Sequence, residues 1–96
     1  MEVIYHPLAQ GDVLEILRYY HDVSPLLADE FLTELRTIVG KAANNPLRFP
    51  AVGQGFRRAN LKRFPYHFLY EENLKAIRLM VVRHNKRHPD FGLRRR

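Results

Sequence analysis

The sequence predicts a small α+β domain in which two amphipathic helices pack against an antiparallel sheet. Apolar residues recur at three- and four-residue spacing in the first half of the chain and alternate every second residue in the second half. Pro and Gly residues between positions 46 and 55 separate the two halves. Because 96 residues supply material for one modest core, we expect a single domain that spans residues 1–96.

The first half of the chain is expected to form one short strand and a helical hairpin. Val3, Ile4 and Tyr5 form a β-prone run that ends before Pro7. An apolar stripe over residues 8–22 predicts the first helix. Ser24-Pro25 is typical of an N-cap followed by the first helical residue, and Asn44-Asn45-Pro46 ends the second helix.

The second half is expected to form a three-stranded meander after a loop at residues 46–55. The strands cover residues 56–61, 66–71 and 75–84, and their short connections require antiparallel neighbours. Alternation predicts that one set of side chains on the second and third strands faces the helices, namely Tyr66, Phe68, Tyr70, Ile77, Leu79 and Val81. The element order is therefore β-α-α-β-β-β, followed by a basic tail at residues 85–96 for which we expect flexibility.

Composition excludes several classes of function. The chain has no cysteine, which excludes disulfides, thiol nucleophiles and thiolate metal sites. Neither a signal-peptide pattern nor a run of about 20 apolar residues is present, so we expect a cytoplasmic protein without a membrane partner. No phosphate-binding loop or acidic cluster for Mg²⁺ occurs, and Pro89 disfavours a metal pair of His84 and His88. We therefore predict no metal and no cofactor.

The charge of the chain is divided between its two halves. Residues 1–48 contain four Lys/Arg and seven Asp/Glu, for a net charge of −3, whereas residues 49–96 contain twelve Lys/Arg and three Asp/Glu, for +9. A basic half of this kind attracts polyanions or acidic protein surfaces over long range. A charged surface that serves only solubility is the alternative.

Basic side chains and two histidines on the predicted sheet and tail are the candidate functional residues. The candidates for target or phosphate binding are Arg57, Arg58, Lys62, Arg63, Arg78, Arg83, Lys86, Arg87, Arg94, Arg95 and Arg96. His67 and His84 are the candidates for proton transfer if the protein cleaves RNA, because arginine stabilises negative charge but is a poor base. From these residues alone, a solvated basic face that carries ordinary strand histidines is slightly favoured over an enzyme.

Several motifs, together with the element order, resemble the RelE/ParE toxins of type II toxin–antitoxin modules, which are often called plasmid stabilisation proteins. The most specific motifs are R-F-P-Y-x-x-x-Y at residues 63–70 and H-x-x-R-x-P at residues 84–89. Asn45 to Pro50 and Phe56-Arg57-Arg58 add to the resemblance. The resemblance covers nearly the whole chain and implies a toxin that an acidic antitoxin neutralises, with oligomers formed through that antitoxin.

The family contains two kinds of toxin, and the residues favour one of them. RelE-like toxins are ribosome-dependent mRNA endoribonucleases, and by this resemblance Arg57 or Arg58 and Arg87 occupy cationic positions of that site. However, His67 replaces an arginine of the central strand and Phe91 replaces a late tyrosine, and a phenylalanine cannot donate a proton. The H-x-x-R-x-P ending is more similar to the ParE branch, which implies inhibition of DNA gyrase without catalysis. The alternatives are a RelE-like enzyme that acts on mRNA at the ribosome and a non-toxic nucleic-acid-binding relative.

Overall fold

The computed structural model describes residues 1–95, and Arg96 lies outside the described residues. Its elements are β1 (Glu2–Tyr5), α1 (Pro7–Val23), α2 (Pro25–Asn44), β2 (Ala51–Gly53), β3 (Phe56–Asn60), β4 (Tyr66–Glu72) and β5 (Ala76–His84). The predicted α+β fold class is confirmed, and the predicted strands and helices lie within a few residues of the observed ones. Within residues 1–95, neither helix combines the length and the apolar character that a membrane crossing requires.

The five strands form one mixed sheet in the order β1-β5-β4-β3-β2. The predicted meander of β3, β4 and β5 is antiparallel, and β1 joins its edge parallel to β5. The expectation of a plain loop at residues 46–55 is wrong in one respect, because β2 pairs with β3 there. This strand is three residues long, so it carries too few side chains to show an alternating pattern.

Both helices begin at a proline, as the sequence predicts. The Nδ1 atom of His6 accepts a hydrogen bond from the backbone N–H of Leu8 at 3.0 Å and caps α1. Ser24 lies between the helices, and its N–H donates to the Tyr20 carbonyl at 2.8 Å. Ser24 occupies the N-cap position of α2 as expected, but its side chain makes no capping hydrogen bond. Its hydroxyl therefore does not provide the stabilisation that is usual for serine at this position.

The main core lies between the helical hairpin and one face of the sheet. Fully buried side chains from α2, β4 and β5 form its centre, namely Phe31, Leu35, Phe68, Tyr70, Ile77 and Leu79. The Tyr70 hydroxyl donates to the Pro46 carbonyl at 2.6 Å. The guanidinium of Arg57 donates to the Phe49 carbonyl at 2.8 Å. These two bonds attach the loop after α2 to the sheet.

A β-bulge in β5 reverses part of the predicted alternation. Leu69 pairs with Val81, whereas the next residue, Tyr70, pairs with Leu79, so Met80 is an extra residue in β5. After the bulge, Val82 faces the helices and Val81 faces the opposite side of the sheet. The prediction that Val81 faces the helices is therefore wrong, because one inserted residue exchanges the two faces of a strand.

The second face of the sheet carries a smaller apolar cluster that the tail covers. Its buried members come from the three central strands, and they are Phe56, Leu69, Met80 and Val81. Phe91 and Leu93 of the tail pack against them. Gly92 lies between these two tail residues with a φ of +84°, in the left-handed region that favours glycine. Helices thus cover one face of the sheet, and residues 88–95 cover the other. We call this second face of the sheet the tail face.

Candidate target-binding face

Arg83 of β5 lies at the centre of the tail face and holds the tail. Its Nε–H donates to Nε2 of His67 at 2.9 Å. Its Nη1 donates to the carbonyl oxygens of Pro89 at 2.8 Å and Phe91 at 2.7 Å, with a longer contact to the carbonyl of His88. Arg83 is 8 % exposed. Because these acceptors occupy its guanidinium, Arg83 has a structural role and presents little charge to a partner.

His67 is buried under the tail, and both of its ring nitrogens are occupied. Nε2 accepts the bond from Arg83, so Nδ1 carries the proton and donates to Oδ1 of Asn85 at 2.8 Å. Burial lowers the pKa of His67 to about 4, the Asn85 bond opposes this effect, and the charges of Arg58 and Arg83 add to it. The imidazole is therefore neutral at physiological pH, and it can accept a further proton only by losing the bond from Arg83.

Asp12 of α1 binds the far end of the tail. Its carboxylate forms a bidentate ion pair with Arg95, at 2.5 Å from Oδ2 to Nη1 and 3.1 Å from Oδ1 to Nη2. Both side chains are 10 % exposed. Arg95 also donates to the Met80 carbonyl at 3.0 Å, and Asp12 accepts the N–H of Val82 at 3.0 Å. Arg95 is consequently a second structural arginine of the tail.

Three other cations near the tail are exposed, namely Lys86, Arg87 and Arg94. The guanidinium of Arg87 lies 4.0 Å from the ring centroid of Phe91, and that of Arg95 lies 5.1 Å from the same centroid. Such stacking restrains Arg87 while leaving it charged. Arg58 is half-buried on the same face, where its Nε donates to Oδ1 of Asn60 at 2.9 Å. The tail therefore combines inward arginines that hold it with outward cations that are available to a target.

His84 lines an open groove between α1 and the start of the tail. This groove has a volume of about 260 Å³, and Tyr19, Tyr66, Arg87 and Phe91 also line it. Nδ1 of His84 accepts the N–H of Lys86 at 3.0 Å, so the neutral ring carries its proton on Nε2. His84 is the predicted proton carrier that the structure leaves partly exposed.

The structure separates the remaining candidates from this centre. Arg57 lies opposite Tyr70 on the helix side of the sheet and pairs with Glu72 at 3.3 Å. Arg63, in the turn before β4, pairs with Glu30 of α2 at 2.7 Å. The N–H groups of Lys62 and Arg63 donate to the carboxylate of Glu34. Strand alternation and the turn direct these cations to different sides of the molecule.

Two further candidates lie at the edge of the tail face or beyond the described part of the chain. Arg78 is 3.9 Å from Glu71 and lines a groove together with Arg94 and Leu93. Arg96 is a predicted binding residue that lies outside the described residues.

Sequence reasoning missed Asp12, Asn85 and Gly92, which organise the tail. Asp12 is an ordinary polar position of an amphipathic helix, and it meets Arg95 across 83 residues of sequence. Asn85 lies inside the H-x-x-R-x-P motif, directly after its histidine, and this position could have indicated a structural role for Asn85. A Cβ atom on Gly92 would lie 2.7 Å from both Cβ and Cγ2 of Val81. None of these contacts follows from local sequence patterns, because each depends on how the tail returns to the sheet.

Comparisons with known proteins identify the family. The family model described as "ParE toxin of type II toxin-antitoxin system, parDE" matches residues 3–89. A solved structure described as "Chromosomal ParDE TA system from P. aeruginosa" has the same fold, with a TM-score of 0.73 at 20% sequence identity over 88% of this chain and 95% of that chain. No curated protein sequence matches the chain. The family match covers most of the described elements, so this chain belongs to the ParE toxin family of type II toxin–antitoxin systems.

Proposed function

We propose that this toxin inhibits DNA gyrase by binding it with the tail face and that it does not cleave RNA. The observation that carries this proposal is the state of His67, which is 1 % exposed and hydrogen-bonded at both ring nitrogens, with its pKa lowered to about 4. A group that transfers protons near neutral pH needs a pKa close to that pH and access to the substrate. His67 has neither property.

Phe91 further supports a role in binding and not in catalysis. Cleavage of RNA through the 2′-hydroxyl needs a base for that hydroxyl and an acid for the departing oxygen. The ring of Phe91 contacts the guanidinium groups of Arg87 and Arg95, and it carries no proton that it can donate. Arginines can bind anionic groups strongly, but a guanidinium group holds its proton too tightly to serve as a general acid or base near neutral pH.

The outward cations provide the binding surface in this proposal. Lys86, Arg87 and Arg94 are exposed, and Arg58 lies on the same face. Guanidinium groups bind carboxylates and phosphates through paired hydrogen bonds, which add geometric specificity to charge attraction. An enzyme that holds DNA offers both phosphates and acidic side chains to such a surface.

Supercoiling by purified gyrase is the direct test. Wild-type protein at micromolar concentration should block supercoiling, and the double variant Arg87→Gln, Arg94→Gln should require at least about tenfold more protein, since two charge-assisted contacts are lost. The matched control is Arg18→Gln, Arg36→Gln, which removes two exposed cations from the helices and should inhibit like wild type. Supercoiling that wild-type protein leaves unchanged would show that gyrase is not the target.

The runner-up function is ribosome-dependent mRNA cleavage, and one observation favours it. His84 is partly exposed in the groove that Arg87 also lines, so a proton carrier and a cation meet there. If the protein is an endoribonuclease, His84→Gln should lower mRNA cleavage in a translating extract by about 100-fold or more. In the gyrase mechanism, no mRNA cleavage occurs and His84→Gln changes supercoiling inhibition little.

We also propose that an acidic antitoxin segment neutralises this chain and that assembly occurs through the antitoxin. The similar solved structure is of a ParDE toxin–antitoxin system, which supports a partner of this kind. In this chain, an open groove of about 480 Å³ runs along α2 to the turn before β4. Its lining includes the exposed apolar side chain of Leu26, three cations (Lys41, Lys62 and Arg63) and three carboxylates (Asp29, Glu30 and Glu34). A disordered antitoxin segment would bury apolar residues in this groove, because apolar burial must offset the entropy lost on ordering, and its acidic residues would pair with Lys41 and Lys62.

A further inference from the structure

The edge of β5 is closed by two different partners along its length. β1 pairs with β5 only from Ala76 to Leu79. Beyond Leu79 this edge meets the side chains of Asp12 and Arg95. Arg95 donates to the Met80 carbonyl and Asp12 accepts the N–H of Val82, each at 3.0 Å. An ion pair of side chains thus replaces a strand partner and satisfies backbone groups that would otherwise form an open edge.

This ion pair is the last strong attachment of the described tail. Arg95 meets the carboxylate with two hydrogen bonds, and both side chains are almost buried. Bidentate pairs of this kind are strong and directional. Removing one partner leaves the other as a nearly buried charge without compensation, which is strongly unfavourable. Loss of either side chain should therefore release the end of the tail from α1.

Two neighbouring arginines of the tail point in opposite directions. Arg95 points inward to Asp12, whereas Arg94, which precedes it directly in the chain, is exposed. Phe91 contacts the guanidinium groups of both Arg95 and Arg87. If Arg95 lost Asp12, its guanidinium would no longer be fixed beside Phe91, and the restraint on Arg87 would weaken with it.

We propose that Asp12 is a positioning residue for gyrase inhibition, which holds Arg95 and thereby fixes Arg87 and Arg94 in the arrangement that the target binds. This inference rests on the proposed function. Asp12 itself faces inward and touches no target in this arrangement; it acts through Arg95. The role explains why a carboxylate lies within the basic tail face, where it lowers the total positive charge.

Four variants test the inference, namely Asp12→Asn, Arg95→Gln, the double variant of both, and Arg95→Lys. Asparagine at position 12 can still accept the Val82 N–H but carries no charge to hold Arg95. Asp12→Asn also makes the protein more positive by one charge. Attraction by net charge alone would therefore strengthen inhibition, whereas loss of positioning weakens it. Glu30→Gln is the matched control, because it too removes one negative charge and one arginine ion pair, the pair with Arg63.

Two measurements are made on each folded variant. The first is the concentration that halves gyrase supercoiling, which should rise about tenfold for Asp12→Asn and for Arg95→Gln. It should rise no further for the double variant, since both residues act through one contact. Arg95→Lys should retain part of the inhibition, and Glu30→Gln should match wild type. The second is tryptic cleavage after Arg87, followed by mass spectrometry, which should be faster only when the tail is released.

The outcomes separate the inference from the proposed function. If wild type inhibits gyrase and Asp12→Asn inhibits equally or better although its tail is cleaved faster, the positioning role is overturned. Unchanged tail cleavage in Asp12→Asn would overturn it as well, because Arg95 would then not depend on Asp12. If wild type does not inhibit gyrase, the proposed function fails first, and the cleavage measurement still decides whether Asp12 holds the tail.

Discussion

Arginines at the tail face have different roles because their environments differ. Arg83 and Arg95 lie against carbonyl oxygens, a histidine and a carboxylate, whereas Arg87 and Arg94 are exposed. A buried guanidinium is stable only when most of its donors find acceptors, and the backbone of the tail supplies them here. Within residues 1–95, every buried side-chain polar atom has a hydrogen-bond partner. Substitution of an inward arginine should therefore disturb the packing of the tail, and it should affect binding through that change.

The pH dependence of stability provides a test of the buried state of His67. Its pKa is about 4 in the folded protein and about 6.5 in the unfolded chain, so the unfolded chain binds more protons between these values. The stabilising effect of the neutral ring is fully present above pH 6.5 and is lost as the pH falls towards 4. We expect the free energy of unfolding to fall by about 2 kcal/mol from pH 7.5 to pH 5 because of this residue.

Urea unfolding at both pH values measures this contribution. The variant His67→Gln keeps a donor and an acceptor but has no titrating group, so its free energy of unfolding should change less between the two pH values. An equal change in wild type and variant would contradict the assignment of a neutral, buried imidazole. His84→Gln is the control variant, since His84 is more exposed.

The packing of the tail on the sheet depends on the β-bulge in β5. The bulge at Met80 turns Val81 to the tail face, where it packs with Leu69 and Phe56. Gly92 then passes so close to Val81 that no side chain fits between them. Two irregular features, a bulge and a left-handed glycine, thus allow a short segment to cover the second face of the sheet.

Gly92→Ala should release the tail. The new Cβ would lie 2.7 Å from Val81, and the φ of +84° is unfavourable for alanine. We expect a loss of about 1 to 3 kcal/mol in the free energy of unfolding, with faster tryptic cleavage after Arg87. Gly53→Ala is the matched control, because its φ is +98° but nothing lies within 4 Å of the new Cβ. Equal effects of both substitutions would show that backbone strain alone, without the contact to Val81, causes the loss.

Over the whole molecule, charge is segregated along the chain but is mixed at the tail face. The basic second half forms four of the five strands and the tail. The acidic first half supplies Asp12 to the tail, and Glu30 and Glu34 to the turn before β4. These acidic contacts neutralise the basic half locally. Arg63 and Arg95 are thus paired, whereas Lys86, Arg87 and Arg94 are the exposed cations of the described tail.

Expression in bacteria tests the proposed toxin and antitoxin roles together. Expression of this chain alone should arrest growth, and co-expression of an acidic protein encoded beside it should restore growth and copurify with this chain. The complex should form less well for Lys41→Gln, Lys62→Gln, because these cations border the groove along α2. Normal growth with soluble toxin present, or a neighbouring acidic protein that neither binds nor protects, would contradict these roles.

Local sequence patterns were sufficient to predict both helices, four of the five strands and the family resemblance, whereas the roles of the candidate residues depend on tertiary contacts. Helix periodicity, proline positions and strand alternation are local properties, so they predicted both helices and the meander. The bulge at Met80, the burial of His67 and the pair of Asp12 with Arg95 arise from contacts between distant segments. Whether a histidine can take up a proton near neutral pH, and whether an arginine can bind a target, depends on its exposure and its hydrogen-bond partners. Both are determined only when the tail packs on the sheet.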